Sequence, residues 1–489
     1  MTQALVYAQR HGETVFLQEQ RIQNMHSAHS REASSKASWI PALKALVIRL
    51  HFYVGLLVGP FIFFAALSGT LYALTPALEK MLYQHALSTE ATTSDAVPHS
   101  LAEQIGAAQQ YLGHDTLPSA VRPAPETGAT TRVMFSDPTL KPGEHRAIFI
   151  DPTNLEVRGD LTVYGTSGVL PLRKTIDQLH RSLLLGDFGR LYSELAASWL
   201  WIAALGGLAI WWFSPKGARQ NPDKRNRTAK RLRTRRRHST LGLVLLVGLL
   251  GLSATGMTWS QWAGNNFFTV LKAGGWTTPR VSVELDANDA GSMNDPHAEH
   301  HAHGASHAGH QLPLGDFDRV LAQARKAGLD AGLIELIVPG EQQAWKVREI
   351  DRSWPSQVDE VSIHPSSFQV LQQVAFSDYP LMAKLTRWGI DAHMGVLFGR
   401  PNQLLLTALG IGIMTMVVWG YAMWWRRRPS VSQPLWHTLG RLPVSALLLT
   451  GIISLGLGYA MPVMGVSLLI FLLIDGVRCL VGTRQATTA

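Results

Sequence analysis

Four stretches of this chain, residues 50–78, 195–215, 238–271 and 401–425, contain no Asp, Glu, Lys or Arg. Each reaches the roughly 20 residues that cross a bilayer, so membrane-spanning helices are the first constraint on the fold. A fifth uncharged run, 442–474, is too long for one helix, and Tyr459-Ala-Met-Pro462 breaks it near the middle, which reads as a tight hairpin of two shorter helices. That makes about six spans. The chain is 46% hydrophobic and 16% charged, yet its mean hydropathy is only +0.06, so large polar parts must lie between the spans.

Short loops rich in Lys and Arg stay on the cytoplasmic side. Segment 216–237 carries eleven Lys or Arg against one acid, Asp223, and Arg426, Arg427 and Arg428 follow the fourth span. Both flanks are expected in the cytoplasm, which with six spans puts both termini there. The formal charge of +9 is then mostly a topology signal; no aromatic-rich soluble domain accompanies the basic run, and no nucleic-acid partner is expected. Residues 1–40 read as a polar cytoplasmic tail with no apolar signal region, so the first span is expected to act as an uncleaved anchor. The single cysteine, Cys479, excludes an intrachain disulfide, a Cys-rich metal cluster and a covalent CxxCH haem.

The spans come in two matched sets. His51 in RLHFYVGL and His238 in RRHSTLGL each open an uncharged stretch, with Gly55 or Gly242 four residues later. His180 in LHRSLLLGDFGR and His393 in AHMGVLFGR each precede a Phe-Gly-Arg, after which a span ends in a Trp pair, Trp211-Trp212 or Trp424-Trp425. The chain reads as two tandem copies of one unit, with His51 and His238 at the cytoplasmic end and His180 and His393 at the outward end. A lone histidine at a helix end is ordinarily an interfacial residue. Four at equivalent repeat positions, in two facing pairs, are what two bis-histidine b-type haems need, and ionisable groups in membrane segments tend to be functional.

The outer pair demands a turn in the chain. His180 precedes its span by fifteen residues, roughly 22 Å of straight helix, so Gly186-Asp-Phe-Gly189 must break the path and fold that stretch back as an interfacial helix; residues 395–399 must do likewise for His393. Gly55 and Gly242 are expected to give a flat ring room beside the inner histidines. Arg190 and Arg400 stand at the outer boundary, where they suit haem propionates or lipid phosphate equally. Trp199, Trp201, Trp211, Trp212, Trp424 and Trp425 are expected to form aromatic belts.

Two outward segments, residues 77–180 and 272–385, repeat a common pattern. A helix (100–112 in one, 317–327 in the other) is followed by alternating strand-like runs: TTRVMFSD, HRAIFIDP and LEVRGDLTVYG in the first, GLIELIVPG, AWKVREID, EVSIHP and FQVLQQVAF in the second. Each is expected to form a small α+β domain with one sheet face buried. Within the second segment, ahead of its helix, lies HAEHHAHGASHAGH, in which His297, His300, His301, His303, His307 and His310 are dense enough to capture a transition metal.

The span opening in Arg-x-His or Arg-Arg-His, the outward unit closing on a hairpin after Asp-Pro, and the His-x-x-Leu followed by Gly-Arg before a Trp-ended span resemble the PepSY-associated transmembrane family. The likeness covers about residues 40–482 and omits the histidine-rich insert. It implies an integral membrane α-helical bundle of about six spans in two tandem repeats, with two small extracytoplasmic α+β PepSY-like domains. It also implies a bacterial inner-membrane ferric reductase with two b haems on His51, His238, His180 and His393. Electrons would come from an unidentified donor, a quinol or a reductase, and pass to a ferric siderophore or other ferric chelate. The alternative is a non-redox membrane protein that binds, senses or transfers metal. The expected layout is a tail (1–40), first span (45–76), outward domain (77–180), interfacial helix and second span (181–215), basic loop (216–237), third span (238–262), second outward domain (272–385) with its histidine-rich insert (297–310), interfacial helix and fourth span (386–425), and final hairpin (435–482).

Overall fold

The computed structural model describes residues 40–89, 97–165, 168–214, 227–285, 312–427 and 435–487. The histidine-rich insert and the first half of the basic loop, 216–226, lie outside the described residues. Four helices are long and apolar enough to cross a membrane: α1 (Ile40–Leu82), then stretches within the second, third and fourth long helices at Gly186–Trp212, Leu232–Met257 and Arg400–Arg426. The last hairpin is present as two helices of 17 and 26 residues, Val444–Ala460 and Pro462–Thr487, broken at Met461-Pro462. Only four helices thus meet the length and composition of a span among the described residues, because the proline leaves the hairpin's first helix at 17 residues. That helix buries none of its residues, and Leu448, Ile452 and Leu455 are exposed, a surface suited to lipid rather than water.

The chain divides into two compact units whose boundaries fall inside the four long helices: residues 1–58, 202–244 and 419–489, and residues 59–201 and 245–418. In the first unit, helix α1 opens into a π-helical turn at Val54–Val58, just after His51. Such turns insert one residue into the helical register and are frequent at functional positions. Asp475, in the last helix, accepts hydrogen bonds from the backbone N–H of Leu435 and Trp436 (3.3 Å for the latter) and from the Tyr53 hydroxyl at 3.4 Å. An acid in an apolar helix is thereby satisfied by a helix N-terminus, where negative charge is favoured.

The second unit carries the sheet. Helix α2 (Leu101–Leu112) precedes β1 (Ala120–Arg122), β2 (Thr131–Phe135), β3 (Glu144–Ile150) and β4 (Val157–Tyr164). There follow α3 (Pro171–Ser182), α4 (Gly186–Trp212), α5 (Arg227–Met257) and α6 (Trp262–Ala273). The second half repeats the order with α7 (Gly315–Lys326), β5 (Ile334–Ile337), β6 (Trp345–Glu349), β7 (Glu360–Ile363) and β8 (Val370–Val374), then α8 (Leu381–His393) and α9 (Arg400–Arg427). The two strand-bearing segments are not separate domains. They form one eight-stranded antiparallel sheet in the order β4-β3-β2-β1-β5-β6-β7-β8, joined where β1 pairs with β5.

Alternation explains both faces of this sheet. Val121, Val133 and Ile148 in one half and Leu336, Val347 and Val361 in the other occupy one cross-strand row, and all six are fully buried in a core that includes Ile105 of α2 and Phe317 of α7. The next residue along each strand turns to the opposite face, and there the row reads Phe149, Arg132, Arg122, Glu335, Arg348, Glu360. A slip of one residue would exchange the rows and bury the charges under the helices. Capping joins the halves as well: Ser100 and Glu103 form a capping box on α2, while Asp318 of α7 accepts from the N–H groups of Leu101 and Ala102 at 2.8 and 3.1 Å.

A helix precedes the second and the fourth long helix, α3 and α8, but the first break lies earlier than its glycines suggest. Leu183 and Leu184 take left-handed φ of 51° and 62° after α3, and α4 already begins at Gly186. Gly189 sits inside α4 against the end of α3, where an added Cβ would come within 1.8 Å of the Ser182 carbonyl oxygen. Gly189→Ala is therefore expected to force α3 and α4 apart and cost about 1–3 kcal/mol; an unchanged thermal midpoint of the detergent-solubilised variant would show that this contact yields freely. Glu194, fully buried on α4, accepts from the N–H groups of Trp262 and Ala263, both at 3.1 Å, and so fixes the start of α6.

Candidate functional site

The fold brings the four histidines together as two pairs. His51 and His238 lie in the first unit with ring centres 6.5 Å apart, and His180 and His393 in the second with ring centres 6.3 Å apart. Two imidazoles bound to one metal from opposite sides set their ring centres roughly 6 Å apart, given metal–nitrogen bonds of about 2.0 Å. Edge contact between aromatic rings covers the same range. What discriminates is the hydrogen bonding of Nδ1.

His51 Nδ1 lies 2.9 Å from the Ala203 carbonyl oxygen, which can only accept, so Nδ1 carries the proton. His180 Nδ1 lies 3.0 Å from Ser68 Oγ, and Ser68 spends its own proton on the Phe64 carbonyl at 2.7 Å; the hydroxyl oxygen therefore accepts from the imidazole. Thr255 repeats this chemistry, donating to Gly251 O at 2.6 Å and standing 2.8 Å from His393 Nδ1. In each case the Nδ1–H tautomer leaves the Nε2 lone pair available, the arrangement that orients a metal-bound histidine. Burial lowers the pKa of His180, and burial followed by the charge of His180 holds His393 down to about 3. Both are neutral near pH 7, the form that ligates.

Glycines press on these rings. A Cβ on Gly69 would meet His180 Cε1 at 3.1 Å, one on Gly207 would meet His51 Cε1 at 3.2 Å, and one on Gly256 would meet His393 Cε1 at 3.4 Å. A Cβ on Gly55 would meet nothing within 4 Å; this glycine is exposed on the π-helical turn. The residues that sequence reasoning missed had a signal. Ser68-Gly69 and Thr255-Gly256 each begin seventeen residues after an inner histidine (68 − 51 and 255 − 238), yet their side chains serve the outer pair.

Ion pairs seat the helices that carry His180 and His393. Arg173 of α3 meets Glu79 of α1 at 2.8 Å, while Asp391 of α8, two residues before His393, is held by Arg352 at 2.6 Å and Arg387 at 2.8 Å. The Tyr192 hydroxyl donates to the His180 carbonyl, and Ser193 to that of Arg181 at 2.8 Å. A cavity of about 180 Å³ reaches the imidazoles of His180 and His393, with Lys174, Arg181 and Arg190 in its wall. That is below the roughly 300 Å³ at which pockets for organic ligands begin, so a macrocycle seats there only if the walls part. Those walls include Gly69, Ala196, Ala197, Gly256 and Gly410, which hold little side chain to displace. Arg400 is not among them. It is exposed at the first turn of α9, beyond the reach of this cavity. Trp199 also departs from expectation: it is 1% exposed and packs in the core rather than in a belt, whereas Trp211, Trp212 and Trp425 are exposed.

Among the described residues no three or more His, Cys, Asp or Glu converge on a metal-sized point. A bare ion would find two protein ligands at either pair; iron already held by a porphyrin needs no more than two. The donor set, the fixed tautomers and the small-residue walls thus fit haem.

No match to an individually curated protein was found. A family description, the PepSY-associated TM region, matches residues 48–427, a stretch that includes all four histidines, both halves of the sheet and the four long helices up to Arg427. This is a multi-pass membrane protein, and the chain belongs to the PepSY-associated TM region family.

Proposed function

We propose that the protein is a six-helix oxidoreductase of the bacterial inner membrane that carries two b-type haems and passes single electrons outward to a ferric chelate of the siderophore kind. The observation that carries this reading is the pair geometry: ring centres 6.5 and 6.3 Å apart, with Nδ1 of His51, His180 and His393 engaged by oxygen acceptors. Haem bound at each pair supplies a one-electron carrier in a low-dielectric setting. His51 and His238 hold one, and His180 and His393 the other. Ala203, Ser68 and Thr255 fix the rings, and Lys174, Arg181 and Arg190 offer positive charge to propionates at the outer site. The two helices of the last hairpin complete six spans, and the basic segment 216–237 favours the cytoplasm at its end of the bundle. On the outward side ferric iron gains one electron; as ferrous iron its lower charge weakens coordination by oxygen donors, and the chelate lets go. The electron comes from a quinol or a reductase at the cytoplasmic face. No side-chain acid or base is required.

Purified protein from haem-replete cells should show low-spin bis-imidazole spectra, about two haems per chain. After reduction with dithionite in sealed right-side-out vesicles, it should be reoxidised by an impermeant ferric chelate added outside. A colourless preparation would end this reading. Oxidation only by chelate trapped inside would reverse the orientation, and none from either side would favour a non-redox metal-binding protein.

A further inference from the structure

The charged face of the sheet closes one side of a second cavity, of about 1060 Å³, whose other walls come from α1, α3, α6 and α8. Ten Arg and Lys line it against five Asp and Glu. Arg122 and Arg132 occupy directly paired positions on β1 and β2, an arrangement that like charges disfavour. Their guanidiniums converge: a Cβ on Gly168 would lie 2.7 Å from Arg122 Nη1 and 2.9 Å from Arg132 Nη1. Glu335 sits between Arg122 and Arg348, at 2.7 and 2.6 Å, so one buried carboxylate serves two arginines. Arg132 donates to the Gly168 carbonyl at 2.7 Å and lies over the Phe149 ring, with no ion pair among the described residues. Burial, and after it the charge of Arg122, pull the Arg132 pKa down and outweigh the opposing charges of Glu79 and Glu335.

We propose that this cavity binds a ferric chelate rich in carboxylates, with an acid group of the ligand seated on Arg132 and Arg122. Planar guanidiniums take carboxylates bidentately, and an anion there would relieve the repulsion between the paired strands. The volume matches the upper range of pockets for small organic ligands and far exceeds what a lone phosphate fills. Tyr72, Val169, Trp259 and Met394 line both this cavity and the one that reaches His180 and His393, so a ligand here stands one side-chain layer from the outer pair. The identification of the ligand as an iron chelate rests on the proposed reductase reading; the preference for carboxylates rests on the cavity alone.

Calorimetric titration of the full-length protein in detergent with ferric citrate tests this. Binding should weaken as salt rises, and Arg132→Gln should reduce affinity about tenfold or more without changing the haem spectrum. Because Arg132 is half-buried and its loss can disturb folding, the exposed rim pair Lys272→Gln/Arg280→Gln serves as a second variant, expected to lower affinity and flatten the salt dependence. The ferric complex of a cationic trihydroxamate should bind at least about tenfold more weakly. Equal binding of the two complexes, displacement by equimolar inorganic phosphate, or indifference of both variants would overturn the proposal. Haem-free protein that still binds citrate in a salt- and Arg132-dependent way would sustain the cavity and remove the reductase reading. Haem-replete protein that ignores ferric citrate would do the reverse.

Discussion

Replacing His393 with alanine should remove one haem of two and leave the other's spectrum intact, and His51→Ala should remove the complementary one. The two pairs lie in different compact units and their rings are held by different acceptors, so each ligand is expected to affect its own pair. Thr255→Val is the finer test. It keeps the shape but deletes the oxygen that accepts from His393 Nδ1 at 2.8 Å, and it should weaken haem retention about 10–100-fold while His393 itself remains. Pyridine haemochrome assay of size-exclusion-pure protein reads all three. Loss of both haems together from well-folded His393→Ala would break the assignment, and full retention with an unchanged spectrum would leave these rings as a packing contact.

The second large effect concerns stability. Glu335→Gln should cost about 3–5 kcal/mol, because it leaves Arg122 and Arg348 without their shared carboxylate, on a sheet face where Arg132 already stands beside Arg122. Burial pushes the Glu335 carboxyl up, but Arg122 and Arg348 outweigh it and hold the group at about 2, against an ordinary 4.5. A depressed acid stabilises the fold above its unfolded pKa, so this contribution, about 3 kcal/mol, is present above pH 4.5 and fades as pH falls toward 2. Thermal unfolding of wild type between pH 6 and 3 should show more than half of that loss, and Glu335→Gln should be low throughout with a flatter slope. A variant that melts like wild type at pH 7 would mean that relaxation or water supplies the counter-charge.

Much of the fold was legible along the chain because membrane helices and strands each write a local period. Uncharged runs marked the four long helices, Pro462 marked the hairpin break, and alternation in TTRVMFSD or AWKVREID marked strands whose buried rows the structure shows. The histidines stood out because a titratable group at a membrane boundary is costly and these recur in register with the repeat. Their spacing held no record of what fixes their rings. Ser68 and Thr255 lie on helices other than those of the histidines they hold, and the glycines facing His51 come from α4, so those roles exist only once the helices pack. The union of the two outward halves was equally hidden. It depends on β1, three residues long with no alternation to read, pairing with β5 more than two hundred residues later. Local period, apolar length and the repeat of the histidines belong to the sequence. Which Nδ1 meets which oxygen, and that two half-sheets fuse along a seam of arginines around one glutamate, belong to tertiary structure, because hydrogen bonds and strand pairing between distant segments leave no periodic trace in the chain.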